Sequence, residues 1–186
     1  MSFKVNLFAP TYHRFEMTKK CLESIIPHVE SSVYDTTLYI CDNNSSKEMK
    51  EWLSTIISDR VRVFFSDVNL GKAKIVNKIY KEHGYDCDYF ISIDSDMIAD
   101  EEGNFIDGMV WHIHNMPDFG VLSTFQKEND QHIWKGLHSI HKLNDREVAY
   151  GAFNNVAGGC IILSKKMWDS IGNYNTHGNV YGYDFS

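Results

Sequence analysis

Short apolar segments alternate with amphipathic helical patterns through the first half of the chain, and this alternation most constrains the fold. Strands are predicted at 4–8, 37–41, 61–65 and 89–93. Helices are predicted between them, at 15–29, 46–57 and 72–83. In each helical segment the apolar residues recur every three or four positions, which is the spacing of a helix with one buried face. Strands joined by crossover helices form a parallel sheet covered on both faces. We therefore predict an α/β fold with a mostly parallel sheet and helices on both faces.

The second half of the chain is patterned less regularly. Two helices and two strands are predicted there, with helices at 104–116 and 165–172 and strands at 120–124 and 158–164. Residues 125–157 are rich in His, Asn, Asp and aromatic residues, so we expect loops with a hairpin among them. In the first half, Ser45 and Glu48 have the spacing of a capping box, which predicts Ser45 as the cap of the second helix.

Composition and charge disfavour several classes of protein. The 186 residues suit one soluble domain, and a net charge of -7 argues against a broad surface for binding nucleic acid. The first residues lack the apolar core of a secretory signal, and no apolar run approaches the ~20 residues of a membrane span. We expect a cytoplasmic protein, either free or peripheral to a membrane. The cysteines (Cys21, Cys41, Cys87 and Cys160) are far apart with apolar neighbours, so buried, reduced thiols are expected.

Polar segments follow each of the first four predicted strands. They are residues 9–14, 42–45, 66–72 and 94–96. In open α/β sheets, ligands bind beyond the carboxyl ends of the strands. We therefore expect these four segments to lie along one edge of the sheet and to form the site.

Asp94 and Asp96 end the fourth predicted strand, in "YFISIDSDM". Side chains two residues apart in an extended segment point the same way, so both carboxylates can face one ligand. Carboxylates without nearby Cys or a convincing His set favour Mg²⁺ or Mn²⁺, and such an ion can make a diphosphate a good leaving group. The alternative is a solvated turn after a strand. In either case the two like charges require positive groups nearby.

Five segments together resemble the family 2 glycosyltransferases of the GT-A fold. They are "APTYHRFEMTKKCLESI", "LYICDNNSS", "DVNLGKAKIVNKIYK", "YFISIDSDM" and "AGGCIILSKKMWDSIGNYN", followed by "YGYD". They occur in the order of the family's motifs over nearly the whole chain, with a gap around 125–155. The resemblance implies a single GT-A catalytic domain over 1–186, with a nucleotide-binding half at 1–100 and an acceptor-binding half at 101–186.

The resemblance implies transfer of a sugar from a nucleotide donor, most often a UDP-sugar, to an acceptor hydroxyl with inversion. Mn²⁺ or Mg²⁺ would be the cofactor. The acceptor is left open among a glycan, a lipid carrier, a protein and a modified nucleic acid, and the oligomeric state is not predicted.

The same resemblance assigns site residues one by one. The donor nucleotide would lie against Pro10, Thr11, Tyr12, Arg14, Asp42, Asn44, Asn69, Gly71, Lys72, Asp94 and Ser95. Asp96 would bind the metal with Asp94, and Asp184 would be the general base that takes the acceptor's proton. The family usually has Glu-Asp where this chain has Tyr183-Asp184, which puts the acceptor contacts in doubt. Because Asp184 lies so close to the last residue, we expect the sequence to be part of a longer protein.

Each role has a structural alternative. Asp42 could cap the turn at 43–44, and Gly71 could serve only a tight turn. Tyr12 and Trp168 are expected to be packing residues, and Lys74 a solvated helix residue. A zinc site is disfavoured, because His112 and His114 diverge on a helix, although the pair His138 and His141 and the isolated His177 are left for testing.

Three other functions compete with glycosyl transfer. A dehalogenase-type phosphatase also places Asp-x-Asp after a strand, but it does so near the N-terminus. A nucleotidyltransferase of similar fold needs a basic, glycine-rich segment that "LFAPTYHRFEM" lacks. The non-enzymatic alternative is a nucleotide-sugar-binding module that has lost turnover.

Overall fold

The structure is a computed structural model that describes residues 2–116, 120–124, 139–144, 146–150, 158–172 and 174. Its strands are β1 Lys4–Thr11, β2 Asp35–Asp42, β3 Val61–Phe65, β4 Tyr89–Ile93, β5 Val121–Ser123, β6 Ser139–Leu143, β7 Arg146–Tyr150 and β8 Cys160–Ser164. Its helices are α1 Phe15–Ser31, α2 Lys47–Thr55, α3 Lys72–Ile79, α4 Phe105–Asn115 and α5 Lys165–Ser170. A π-helical turn, Tyr80–Gly84, continues α3.

Six strands form one sheet in the order β3-β2-β1-β4-β8-β5, and β6 pairs with β7 in a separate hairpin. The first four strands are parallel, whereas β8 runs antiparallel to both β4 and β5. The predicted α/β fold with a mostly parallel sheet is confirmed, as is the hairpin expected within 125–157. The chain moves outward from β1 to β3 and then returns to place β4 on the other side of β1. The carboxyl ends of β1 and β4 therefore form a topological switch point, where such sheets bind ligands.

Helices cover both faces of the sheet, as their apolar patterns require. Residues of α1, α2 and α4 pack on one face, in a core that includes Leu22, Met49 and Val110. Residues of α3 and α5 pack on the other face, where the core is mainly aromatic. There Trp168 is fully buried and stacks on Phe90 with 3.8 Å between ring centroids, so its expected packing role is confirmed.

Several boundaries differ from the sequence prediction, and the differences at β1, β2 and the second helix concern the site. β1 and β2 each extend to eight residues, because Thr11 and Asp42 still pair with each other at the end of the ladder. The prediction that Ser45 caps the second helix is wrong by one residue. Ser46 is the cap, and its hydroxyl accepts a hydrogen bond from the Met49 amide at 3.3 Å. Among the described residues, no helix is long and apolar enough to cross a membrane.

Candidate active site

Hydrogen bonds join the polar segments that follow β1, β2 and β3. The Asn43 amide donates to the Thr11 carbonyl at 2.9 Å, and the Ser66 amide donates to the Asp42 carbonyl at the same distance. The Asn43 side chain accepts from the Leu70 amide at 3.1 Å, which ties the second segment to the third. These three predicted segments therefore meet at one edge of the sheet.

Asp42 is fully buried at the end of β2. Its Oδ1 accepts from the Thr11 hydroxyl at 3.1 Å, and its Oδ2 accepts from the Ser45 amide at 3.0 Å. Asp42 therefore caps the turn at 43–44, which is the structural alternative given for it above. Each carboxylate oxygen can accept a second hydrogen bond, so these contacts and a contact with a ligand are compatible.

The loop after β1 adopts an unusual backbone conformation. His13 and Arg14 have φ angles of 53° and 49°, in the left-handed region that non-glycine residues rarely adopt. Such strain is found mainly at functional sites, where the surrounding structure holds it. The His13 amide donates to the Ser45 hydroxyl at 3.0 Å, and the Tyr12 ring lies against His13 with 43% of its residue surface exposed. Pro10 is buried within β1, beside Cys41 of β2.

The other predicted nucleotide contacts take up positions in turns. Asn44 has a φ of 65°, and its side chain accepts from Lys50 Nζ at 2.9 Å. The Asn69 side chain accepts from the Gly71 amide at 2.9 Å and closes the turn before α3. Gly71 has a φ of 77°, so a glycine suits this position, and the turn it forms places Lys72 at the first position of α3.

The two acids after β4 are each paired with a cation from a different segment. Lys72 Nζ lies 3.0 Å from Asp94 Oδ1, and Arg14 Nη1 lies 3.3 Å from Asp96 Oδ2. The positive compensation predicted from the sequence is therefore present, and the four charges sum to zero. Ser95, between the two acids, is buried.

Lys72 also links the two halves of the chain. Its Nζ lies 3.5 Å from the Gly158 carbonyl and 5.7 Å from the centre of the Tyr174 ring. The Asp94 amide donates to the Gly159 carbonyl at 2.8 Å. The segment before β8 thus closes one side of the site around the Lys72–Asp94 pair.

The side chains of Asp94 and Asp96 suit a hard divalent cation. Their oxygens are the ligands that Mg²⁺ and Mn²⁺ prefer, and both side chains are partly exposed at the switch point. The described part of the chain holds no group of three or more His, Cys, Asp or Glu side chains that could bind a metal.

Several predicted residues lie outside the described part of the chain. These are Asp184, Tyr183, His177 and His138, together with the side chain of His141. Of the other histidines considered for zinc, His114 makes a 3.0 Å hydrogen bond with the Tyr89 hydroxyl. His112 lies against the neighbouring Trp111 ring.

All four cysteines are free and buried, as predicted. Burial raises the pKa of the Cys21, Cys87 and Cys160 thiols to about 12 and raises that of Cys41 as well. A thiol with so high a pKa is protonated at neutral pH and is a poor nucleophile. The cysteines therefore do not supply a covalent mechanism.

Sequence reasoning missed several residues that build the site. Asn43 and Ser45 bridge the loops, and Cys21 and Ser24 of α1 contact the backbone around the paired acids. The "DNNSS" segment indicated Asp42 and Asn44 as site residues, and Asn43 carried no separate signal. Cys21 was predicted only as a buried thiol, and Ser24 lies in an ordinary amphipathic helical pattern that gives no functional signal.

Comparisons with known proteins bear on the family and the fold. The model of the family described as "Glycosyl transferase family 2" matches residues 7–171. Among solved structures, the mannosyltransferase PcManGT from Pyrobaculum calidifontis, in complex with GDP-Man and Mn²⁺, superposes with a TM-score of 0.72 at 13% identity. TarS residues 1–349 from S. aureus superpose with a TM-score of 0.61 at 14% identity. No curated protein sequence matches the chain.

The sheet with its switch-point site defines a GT-A fold, shared with these glycosyltransferase structures. The chain belongs to glycosyl transferase family 2, because the family model covers most of its length. The matches cover 95% and 94% of this chain but only 49% and 51% of the two solved chains, so it spans about half the length of each. The family assignment gives no support to the phosphatase and nucleotidyltransferase alternatives.

Proposed function

We propose that this chain is the catalytic domain of a metal-dependent, inverting glycosyltransferase that uses a nucleoside diphosphate sugar, with a UDP-sugar favoured. The observation that carries the proposal is the cluster of Lys72, Asp94, Arg14 and Asp96 at the switch point. Two acids that suit a divalent cation alternate there with two cations that suit phosphate oxygens. A nucleotide diphosphate with its metal ion needs both kinds of group.

Charge balance supports a change of ion-pair partners when the metal and the nucleotide sugar bind. The four side chains are neutral together, and a divalent cation with the diphosphate of a nucleotide sugar is close to neutral as a unit. Inserting that unit between the acids and the cations leaves the total charge of the site nearly unchanged. Asp94 and Asp96 would hold the metal, while Lys72 and Arg14 would turn to the phosphate oxygens.

The remaining residues would bind and orient the donor. Asp42, fixed by Thr11 and Ser45, would accept a hydrogen bond from an N–H of the base. Tyr12 and Asn44 border the loops beside Asp42, and Asn69 with Gly71 would bring the backbone close to the nucleotide. Pro10, buried near the end of β1, and Ser95, buried directly after β4, would lie against the nucleotide.

Transfer requires an acceptor hydroxyl to lose its proton as the new glycosidic bond forms. We assign this proton to the Asp184 carboxylate, on the strength of the family resemblance alone. When bound, the divalent ion neutralises the charge that develops on the diphosphate as the old bond breaks. Attack opposite the leaving diphosphate inverts the anomeric centre.

The base of the donor would be recognised mainly through Asp42. The resemblance favours uracil, but the structure of PcManGT holds GDP-Man. Both bases offer an N–H to a carboxylate such as Asp42, so that contact alone does not separate them. The acceptor would be a hydroxyl on a glycan, lipid carrier, protein or modified nucleic acid, and we propose a cytoplasmic location.

Thermal unfolding with UDP, GDP or CMP, each with and without Mn²⁺, tests the proposal. A ligand at 100 times its dissociation constant stabilises the folded state by about 2.7 kcal/mol, which raises the melting temperature of a domain this size by roughly 5–10 °C. We expect that rise for one diphosphate nucleotide, and only with Mn²⁺. If no nucleotide gives a metal-dependent rise, the proposal is wrong.

Two aspartate variants make the test specific to the site. Asp96→Asn should abolish the Mn²⁺-dependent rise, because the amide is a much weaker metal ligand than the carboxylate. Asp59→Asn is the matched control, since Asp59 is an exposed aspartate just before β3, at the opposite edge of the sheet. Equal loss in both variants would indicate a general effect of charge.

Turnover separates an enzyme from a binding module that has lost activity. In a protein that includes any sequence beyond this chain, Asp184→Asn should abolish transfer but leave nucleotide binding intact. Product with the same anomeric configuration as the donor, measured by proton NMR, would contradict inversion. A wild-type protein that binds nucleotide with Mn²⁺ but never consumes donor, against a panel of acceptors, would support the binding module.

A further inference from the structure

The turn that carries the paired acids lies against one face of α1. The Cys21 thiol lies 3.5 Å from the Asp94 carbonyl, and the Ser24 hydroxyl accepts a hydrogen bond from the Ala99 amide at 3.0 Å. Residues three apart in a helix lie on the same face, so Cys21 and Ser24 act together. Asp96 therefore lies between two points of attachment to a single rigid element.

The hydrogen bonding of Ser24 fixes its hydroxyl in one orientation. Its Oγ donates to the Cys21 carbonyl at 2.7 Å, one turn back along α1. The hydroxyl proton of Ser24 therefore points to the Cys21 carbonyl within α1, and a lone pair of Oγ accepts from the Ala99 amide. Ala99 belongs to neither β4 nor α4, so this bond replaces the backbone pairing that a strand or helix would provide.

The same face of α1 holds the chain farther along. The Asn104 side chain caps α4 and also donates to the His28 carbonyl at 2.7 Å and to the Ser31 hydroxyl at 3.1 Å. Residues 21, 24, 28 and 31 repeat at helical spacing. The whole connection from β4 to α4 is therefore laid along one stripe of α1.

Such attachment matters most for Asp96, whose side chain is 41% exposed and which, among the described residues, forms an ion pair with the Arg14 side chain, itself 59% exposed. Side-chain pairing with a partly exposed arginine is weak, so the position of its carboxylate depends on the backbone. Two carboxylates bind one ion only when both are held near the right geometry.

We infer that Cys21 and Ser24 are positioning residues that hold the backbone of residues 94–99 so that Asp94 and Asp96 face one metal ion together. This inference rests on the proposed function, because it concerns the same site. Neither residue is assigned a contact with the substrate. Their effect is expected in metal-dependent binding rather than in the binding of the nucleotide alone.

Ser24→Ala tests the inference directly. Loss of one hydrogen bond of ordinary net strength should weaken binding of UDP, or of GDP if that is the nucleotide bound, about fivefold in the presence of Mn²⁺. The much weaker affinity for the same nucleotide without metal, measured at nucleotide concentrations high enough to detect it, should not change. In the assay of transfer, KM for the donor should rise more than kcat falls. Ser24→Thr keeps the hydroxyl and should restore wild-type affinity.

Hydrogen exchange gives a readout that needs neither metal nor activity. The Ala99 amide should exchange faster in Ser24→Ala than in the wild type or in Ser24→Thr. Ser54→Ala is the matched control, because the Ser54 hydroxyl makes a similar bond to the Lys50 carbonyl within α2, away from this turn. In that variant, exchange at Ala99 and affinity with Mn²⁺ should both remain unchanged.

The outcomes separate this inference from the proposed function. A wild-type protein without metal-dependent nucleotide binding overturns both. Normal metal dependence in the wild type together with unchanged binding in Ser24→Ala overturns the positioning role alone. A lower melting temperature in Ser24→Ala with unchanged affinity for metal and nucleotide also overturns it, because the residue would then serve stability only. Cys21→Ser, which keeps a donor, should stay closer to the wild type than Cys21→Ala.

Discussion

Replacing Lys72 by methionine should change the affinity of the site in opposite directions for metal alone and for metal with nucleotide. Lys72 Nζ lies 3.0 Å from Asp94 Oδ1, and the two side chains are 22% and 36% exposed. Methionine keeps most of the length and apolar surface of lysine but removes the charge. In the free protein, therefore, Lys72 and an incoming cation compete for the same carboxylate.

The expected changes in affinity follow from the two partners of Lys72, which are Asp94 in the free protein and phosphate in the nucleotide complex. A pair this exposed is worth about 1 kcal/mol, so removing the lysine should tighten binding of Mn²⁺ alone about fivefold. With the nucleotide present, the variant lacks a charge-assisted hydrogen bond to phosphate worth about 1.5–3 kcal/mol. Subtracting the gain leaves a loss of roughly 0.5–2 kcal/mol, or about 2- to 30-fold weaker binding of the Mn²⁺–nucleotide complex.

Electron paramagnetic resonance of Mn²⁺ measures the first affinity, and calorimetry with UDP or GDP in saturating Mn²⁺ measures the second. Lys74→Met is the control, because Lys74 is exposed on the same helix, two residues along. It should leave both values unchanged. Weaker binding of Mn²⁺ alone in Lys72→Met would refute the idea that Lys72 occupies the place of the metal, and unchanged binding with nucleotide would refute its contact with phosphate.

Three further predictions concern stability and reactivity. Gly84→Ala should destabilise the fold by about 1–3 kcal/mol in urea unfolding, because the added carbon would lie 2.4 Å from the buried Phe8 ring. Gly108→Ala should be neutral or stabilising, since nothing lies within 4 Å of its added carbon; equal effects would contradict the packing. Lys165 lowers the pKa of Asp169, so this carboxylate contributes stability that is present above its ordinary pKa and is lost as pH falls through the lowered value. Asp169→Asn should therefore remove part of the acid dependence of unfolding below about pH 4, and an unchanged acid limb would contradict this. A thiol reagent should label the four cysteines only after denaturation, and rapid labelling of the native protein would show that they are accessible.

The elements that the sequence predicted best are those with a strong local pattern. β3 and β4 have the bounds predicted for them, because each is a short, mostly apolar segment bounded by polar residues. The ends of β1 and β2 were missed, since the polar residues Thr11 and Asp42 stay in the ladder by pairing with each other. The cap of α2 was misplaced by one residue because both Ser45 and Ser46 precede it, and Ser45 is used to hold His13.

The site also has features that local sequence pattern predicted and features that depend on tertiary contacts. The acids at 94 and 96, the polar strand ends and the need for positive partners all follow from local pattern and charge. The choice of Lys72 for Asp94 and Arg14 for Asp96 does not, because these residues are brought together only by the order of the strands. The hydrogen bonds from Cys21 and Ser24 to the backbone after β4 depend in the same way on tertiary packing, because they form only where α1 lies beside that turn.

The sequence by itself determined the alternation of strands and helices, the family, and which edge of the sheet would be polar. Only the tertiary structure decided which charges meet, which backbone groups hold the acids, and which helix supports their turn. The physical reason is the separation along the chain over which each interaction acts. Periodicity and capping act between residues a few positions apart, whereas an ion pair or a hydrogen bond between segments exists only after packing has fixed the distance between them.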